Sequence, residues 1–217
     1  MTDTVADLVS AVKTEGGFDV DEATVLKWLS RRQRTMVVRG RVRKLLIAIG
    51  TGDGVTKEFT VENEPAPAFV SVAEILELKV GGEVWTPGDH SDITAGELGR
   101  LRLSGPGGIY AAEHNEGATF TINLYPTPGE GAAIQAWVVG LPLDLEVGQE
   151  TTLVIPQDFT DALVSGAIAT GLLRLEGRPD LAQPLEQIFN EACVEVRRRI
   201  AQQADRPRQI RIAGVNA

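Results

Sequence analysis

Apolar residues in the first forty positions recur at helical spacing. Val5, Leu8, Val9 and Val12 stand three and four residues apart, which puts them on one helix face. Gly16-Gly17 closes this pattern. Asp19 or Asp21 can cap a second helix, in which Val25, Trp28 and Leu29 form an apolar stripe ahead of Arg31 and Arg32. Gly40 is the expected end of that helix, and the Val37-Val38 pair leaves its last turn open.

From about residue 41 to 150 the chain changes character: glycine becomes dense, and short β-branched runs alternate with turn residues. Leu45-Leu46-Ile47-Ala48-Ile49 and Glu58-Phe59-Thr60-Val61 flank Gly50-Thr51-Gly52-Asp53-Gly54. Asp-Gly between two such runs predicts a hairpin, because glycine accepts the positive φ of a tight turn. Ile75 to Val80, joined through Gly81-Gly82 to Glu83-Val84-Trp85, makes a second hairpin candidate. Leu101-Arg102-Leu103, Thr119 to Leu124 and Ile134 to Val139 are further strand candidates. No helical stripe separates these runs, so an antiparallel sandwich or barrel is expected.

The helical period returns after about residue 150. Ile155-Pro156-Gln157-Asp158-Phe159-Thr160-Asp161-Ala162-Leu163 opens a helix, and Gly177-Arg178-Pro179-Asp180 turns it into another. Phe159, Leu163, Gly166, Thr170 and Leu173 mark the first stripe; Leu181, Leu185, Ile188, Phe189, Ala192, Val196 and Ile200 mark the second. Small residues at Ala162, Gly166 and Ala169 permit close helix approach. Asp180 near the start of the second helix and Arg197, Arg198 and Arg199 near its end suit the helix dipole. The expected fold class is α+β: helices at 1–40 and a helical hairpin at 151–204 around an inserted antiparallel β domain at 41–150. Residues 205–217 follow as a tail, in which Arg206, Arg208, Ile210, Arg211 and Ile212 carry an Ile-Arg alternation. That alternation reads as an extended strand able to join a neighbour's sheet edge; terminal position alone fits simple disorder as well.

Charge sharpens this picture. Net charge is −9, yet Arg31, Arg32, Arg34, Arg39, Arg41, Arg43 and Lys44 fall in one stretch with no Asp or Glu, so the rest is more acidic still. A dedicated DNA reader is usually basic over a whole face, and this chain is not. The band can be a solvated helix end, a contact to an acidic protein surface or a strip that touches phosphate. No aromatic residues interleave it to stack on bases, and the acidic remainder favours a protein contact. The N-terminus lacks a basic start and apolar stretch, and no run of 18 apolar residues appears, so synthesis in a reducing cytoplasm and no membrane span are expected. The one cysteine, Cys193, lies beside helix positions Ala192 and Val196 and reads as a small packed residue.

Candidate chemistry is sparse. Gly50 to Gly54 lacks the Gly-Lys-Ser/Thr ending of a phosphate loop and precedes a strand rather than a helix. Asp89-His90-Ser91-Asp92 gathers a histidine, a serine and two carboxylates, but loop neighbours rarely line up as nucleophile, base and orienter. His114, beside Glu113 and near Glu116, makes no recognised metal spacing with His90. No cofactor, metal or catalytic residue is expected. Trp28, Trp85 and Trp137 read as core or interface residues.

The order of parts resembles the adaptor proteins that join portal to tail in tailed bacteriophages. The resemblance rests on Gly52-Asp53-Gly54-Val55-Thr56-Lys57-Glu58-Phe59, on Tyr125-Pro126-Thr127-Pro128, on the helix start Ile155 to Leu163, on the turn Gly177-Arg178-Pro179-Asp180-Leu181-Ala182 and on the Glu- and Arg-rich final helix. It covers about residues 3 to 204. It implies a structural virion protein of the neck, without catalysis, forming a homo-oligomeric ring, by the family's pattern a dodecamer. The ring would lie beneath the portal protein, meet tail or stopper proteins, and let DNA pass during genome packaging and ejection with only non-specific contact. The hairpin 156–204 would form the inter-subunit wall and the tail 205–217 would reach into the portal. The interface residues expected on this basis are Arg31, Arg32, Arg39, Arg41, Arg197, Arg198, Arg206, Arg208, Ile210, Arg211 and Ile212. The larger β region leaves its own partner open: fibre, stopper or neighbouring adaptor. A competing reading is a ligand- or carbohydrate-binding β module of a phage fibre or adhesin, which needs exposed aromatics from Trp85, Tyr110, Tyr125 and Trp137. A hydrolase centred on His90 is a third.

Overall fold

The computed structural model describes residues 4–42, 44–61, 69–97, 107–114, 120–148 and 153–204. Helix α1 (Val5–Gly16) begins at a capping box: the Thr4 hydroxyl accepts the Asp7 N–H at 3.2 Å, and the Asp7 carboxylate accepts the Thr4 N–H at 2.9 Å. Asp21, rather than Asp19, caps helix α2 (Glu22–Gly40), its carboxylate accepting the Thr24 N–H at 2.8 Å. Arg41 closes α2 in the left-handed region at φ 51°.

Seven strands follow: β1 (Lys44–Thr51), β2 (Glu58–Val61), β3 (Phe69–Val80), β4 (Glu83–Pro87), β5 (Ile109–His114), β6 (Phe120–Tyr125) and β7 (Ala133–Pro142). They form one sheet in the order β1-β7-β3-β4-β5-β6-β2. Its edge strands approach each other so closely that a Cβ on Gly50 would sit 3.4 Å from the Phe59 ring, so the sheet is nearly closed. Along β7, Ile134, Ala136 and Val138 point into the barrel with Leu78, Ile122 and Leu124, while Gln135 and Trp137 point out.

The sheet departs from the sequence-based expectation in three ways. The Asp-Gly segment does not make a hairpin: β1 pairs with β7 and β2 pairs with β6. Its backbone bonds to the β6–β7 connection instead, with Gly52 N–H on Ala132 O at 2.8 Å and Gly131 N–H on Gly52 O at 3.0 Å. Secondly, β4 and β5 run parallel, pairing Thr86 with Ile109 and Pro87 with Tyr110, so the sheet is not wholly antiparallel. Thirdly, Asp89 to Asp92 is no plain loop. Asp89 accepts the Asp92 N–H at 3.0 Å and the Ser91 hydroxyl at 2.6 Å, starting a short helix α3 (His90–Glu97) between β4 and β5. The Gly81-Gly82 hairpin is present as expected, with Val80 paired to Glu83. The 101–103 strand candidate lies outside the described residues.

A 3₁₀ turn (Gln157–Phe159) leads into helix α4 (Thr160–Gly171), a π turn (Leu172–Glu176) widens its end, and Gly177 at φ 61° releases the chain into α5 (Pro179–Ala204). Helix α4 is buried nearly all round, as its run of Ala, Val, Ile and Gly requires. Gly166 permits the close helix approach expected of it, since a Cβ there would meet the Phe189 ring at 2.7 Å; Gly171, which the sequence did not single out, likewise leaves room for Phe18, 2.5 Å from where its Cβ would sit. Phe18 in turn packs edge-on against Trp28, centroids 5.6 Å apart. The molecule is thus a mixed α/β fold with five α-helices among the described residues. Its helical core and barrel core meet at β7, where Val138 belongs to the barrel and the adjacent Val139 to the helices.

Two outcomes follow from this packing. Gly166→Val should destabilise the chain by about 1–3 kcal/mol through overpacking against Phe189, read as a lowered urea midpoint; an unchanged midpoint would show that α4 and α5 are not in this contact. Asp53 accepts the Thr56 hydroxyl at 2.5 Å and the N–H groups of Thr56 and Val55 at 2.6 and 2.8 Å, which hold its carboxyl down at about 2. A carboxylate lowered in this way holds its loop above the unfolded value of about 3.9 and releases it as pH falls through the folded one. The Val55 and Thr56 amide resonances should therefore titrate near pH 2, whereas a midpoint near 4 would mean the loop bonds are not made in solution.

Candidate functional site

Helix α2 carries most of the basic band, and its polar side chains divide by direction. On one side the Arg32 guanidinium forks onto Glu186 of α5 at 2.8 and 2.7 Å, donates to the Thr170 hydroxyl at 2.9 Å and stacks 5.0 Å from the Phe189 ring centroid. Arg39 donates to the Asn190 side-chain carbonyl, also on α5. On the other side Arg34 reaches Asp144 at 3.1 Å and the Pro142 carbonyl at 3.3 Å, and Arg41 pairs with Glu74 of β3 at 2.5 Å. Buried Ser30 and Gln33 accept the N–H groups of Leu145 and Val154 at 2.9 and 3.1 Å. Of the residues expected at an interface, Arg32, Arg39 and Arg41 are thus engaged inside the chain. Arg31 projects to solvent with no ion pair among the described residues.

At the far end of α5 the three arginines separate. Arg199 bonds Asp158 at 2.8 Å and Glu195 at 3.2 Å and lies 4.9 Å from the Phe159 ring centroid, fastening α5 to the start of α4. Arg198 pairs with Glu195 at 2.8 Å, and Arg197 is exposed. Arg206, Arg208, Ile210, Arg211 and Ile212 lie outside the described residues.

The surface of α5 differs from the expected stripe. Its buried seam is Ala182, Phe189, Cys193 and Val196, whereas Leu181 and Ile188, expected in the stripe, are 46% and 48% exposed. At roughly 100° per residue, those two sit on one flank of the seam. Arg199 shares that flank and reaches the start of α4, so the flank faces α4. The opposite flank bears Glu186 and Asn190, which turn toward α2, and an open groove of about 610 Å³. Leu173, Ala182 and Val194 supply its apolar lining, with Gln183, Gln187 and Asn190 beside them; Leu173 and Val194 are 46% and 70% exposed. A count of apolar spacing merges seam and flank because Leu181 and Ile188 lie only about a quarter turn from it.

The other candidates take ordinary places. Cys193 is buried, and desolvation pushes its thiol up to about 11, as suits a packed residue. His90 Nε2 lies 2.6 Å from Glu113 Oε1 on β5, while the Ser91 hydroxyl donates a hydrogen bond to Asp89, so serine and histidine are not joined. No group of three or more metal-ligating side chains occurs among the described residues. Trp85 and Tyr110 are buried in the barrel and Tyr125 packs beside α3, leaving Trp137 at the surface opposite Leu46. The exposed aromatic cluster that a carbohydrate site needs is not formed by these four.

Replacing Arg32 by methionine leaves Glu186 and Thr170 without their donor, and should lower unfolding stability by about 1–3 kcal/mol, against no more than about 0.5 for Arg31→Met. Urea unfolding of the two variants checks this; equal effects would remove Arg32 from its bridging role.

No helix of the described residues is long and apolar enough to cross a membrane. Comparison with curated proteins gave no match. A family model described as the SU10 adaptor protein matches residues 3–212, almost the whole chain. The chain therefore belongs to the SU10 adaptor protein family, the structural head-to-tail adaptors of tailed bacteriophages.

Proposed function

We propose that this adaptor forms a homo-oligomeric ring, a dodecamer, in the neck of the virion. The ring lies beneath the portal protein, links the capsid to tail or stopper proteins and lets DNA pass during packaging and ejection. The helical hairpin 156–204 builds the wall between subunits; the β part, 41–150, faces outward or toward the tail; residues 205–217 reach into the portal.

The observation that carries this reading is the exposure of apolar side chains on both sides of α5: Leu181 and Ile188 on one flank, and on the other Val194 with Leu173 of the preceding π turn beside it. A ring contact is head-to-tail, so each subunit must present two different surfaces on opposite sides. A monomer has no use for apolar strips on both sides of one helix. Arg31, Arg197 and Arg198 complete the expected surface as outward charges able to meet the acidic exterior of a neighbour, and Arg32, Arg39 and Arg41 shape it from within. The acidic balance of the chain, −9 overall, suits a channel through which phosphates slide without counterion release.

Negative-stain imaging of the protein mixed with the portal from the same genome tests the reading. A new ring layer stacked on the portal is expected, and its symmetry gives the copy number. A bare portal beside discrete free particles would overturn it.

A further inference from the structure

Two apolar features of α5 have no partner within the described chain, and they differ in shape. Toward α4, Leu181 and Ile188 form a ridge, continued by half-buried Leu185 and Ala192. Toward α2 lies the groove with Leu173, Ala182 and Val194 in its lining. Within the groove Glu186 is paired with Arg32, while Glu191 accepts from Gln187 at 2.8 Å and keeps its charge at the rim. What remains at its margin is the amides of Gln183, Gln187 and Asn190, which can donate and accept across a contact.

The two features also share a level. The groove runs from Pro179 to Val194, roughly 22 Å at ~1.5 Å per residue, and the ridge falls inside that span. A rotation about an axis parallel to α5 thus brings the ridge of one copy to the groove of another with no shift along the helix. Head-to-tail contacts close into a ring under such a rotation, and wind into a filament when a shift is added. A ridge and a groove on opposite flanks of one helix are the two different surfaces that a head-to-tail contact needs, which points to a second copy of this chain as the occupant.

We propose that the Leu181–Ile188 ridge of each copy seats in the Leu173, Ala182 and Val194 groove of the next, making α5 the seam between adjacent subunits. This rests on the ring reading and deepens it by naming both halves of the contact. Burial of the apolar side chains supplies the attraction, and the amides at the groove margin set the register.

The test is a full-length Gln183→Cys/Ile188→Cys variant treated with a short bis-maleimide, alone and with the portal, and imaged in parallel. Both positions are exposed, on opposite flanks of the helix, and a link closed within one copy leaves a monomer and adds no rung to a ladder. Native Cys193 is buried with its thiol at about 11 and does not compete. A ladder of covalent oligomers is expected from the double variant, and no ladder beyond dimer from either single variant. Rings without a ladder would overturn this seam and leave the ring reading standing. A ladder without rings would keep the contact and sink the ring, and neither rings nor ladder would overturn both. Ile188→Glu, at a half-exposed position, should abolish the rings while leaving the urea midpoint unchanged; rings that survive it would also refute the seam.

Discussion

Helix α2 must be satisfied on two sides at once, and the rest of the molecule is arranged around that demand. Its buried stripe, Val25, Leu29, Met36 and Val37, accounts for one face only. Ser30, Gln33, Arg32, Arg34, Arg39 and Arg41 bring polar groups to the margins of that face, where water is partly excluded and each group needs a partner. One margin finds Glu186, Asn190 and Thr170, which fixes α5 and α4 against α2. The other finds the backbone after β7, with Asp144 and Glu74, which fixes the barrel against the helices.

This arrangement turns two cores into one body. The Val138–Val139 step places neighbouring residues of β7 in different cores, so neither core can loosen at that strand without disturbing the other. An adaptor benefits from such a body, since load passing from head to tail must cross the subunit rather than a hinge within it. Arg32, Arg39 and Arg41 are taken up within the chain by this coupling, which leaves Leu181, Ile188 and Val194 of α5 exposed.

Much of this was legible in the sequence. The helical stripe of α1, a cap at Asp19 or Asp21, the Gly177-Arg178-Pro179-Asp180 turn and the close approach at Gly166 of α4 follow from local rules that the fold obeys. The failures share a cause. Asp53-Gly54 satisfied every local requirement of a hairpin, yet the glycine backbone found better partners across the β6–β7 connection. Helix α3 and β5 went unseen because eight and six residues carry too little periodicity to stand out. The basic band invited a partner outside the chain because sequence shows that charges are adjacent, not which way they point. Only the geometry of α2 showed that Arg32, Arg39 and Arg41 turn inward while Arg31 does not. For the same reason Leu181 and Ile188 passed for core, their spacing being helical though their flank is open.

Whether α2 joins helices and barrel into a single body is answered most directly by two single-tryptophan proteins. One keeps Trp28, buried in the helical core, and the other keeps Trp85, buried in the barrel core, with the remaining tryptophans changed to phenylalanine. Each is unfolded in urea, and fluorescence is referenced against circular dichroism of the same sample to correct for the substitutions. Fluorescence and circular dichroism are expected to share one midpoint in both proteins, as for a two-state unit. A barrel tryptophan that releases at a different denaturant concentration from the helices would contradict the coupling and with it the view of this adaptor as one load-bearing body.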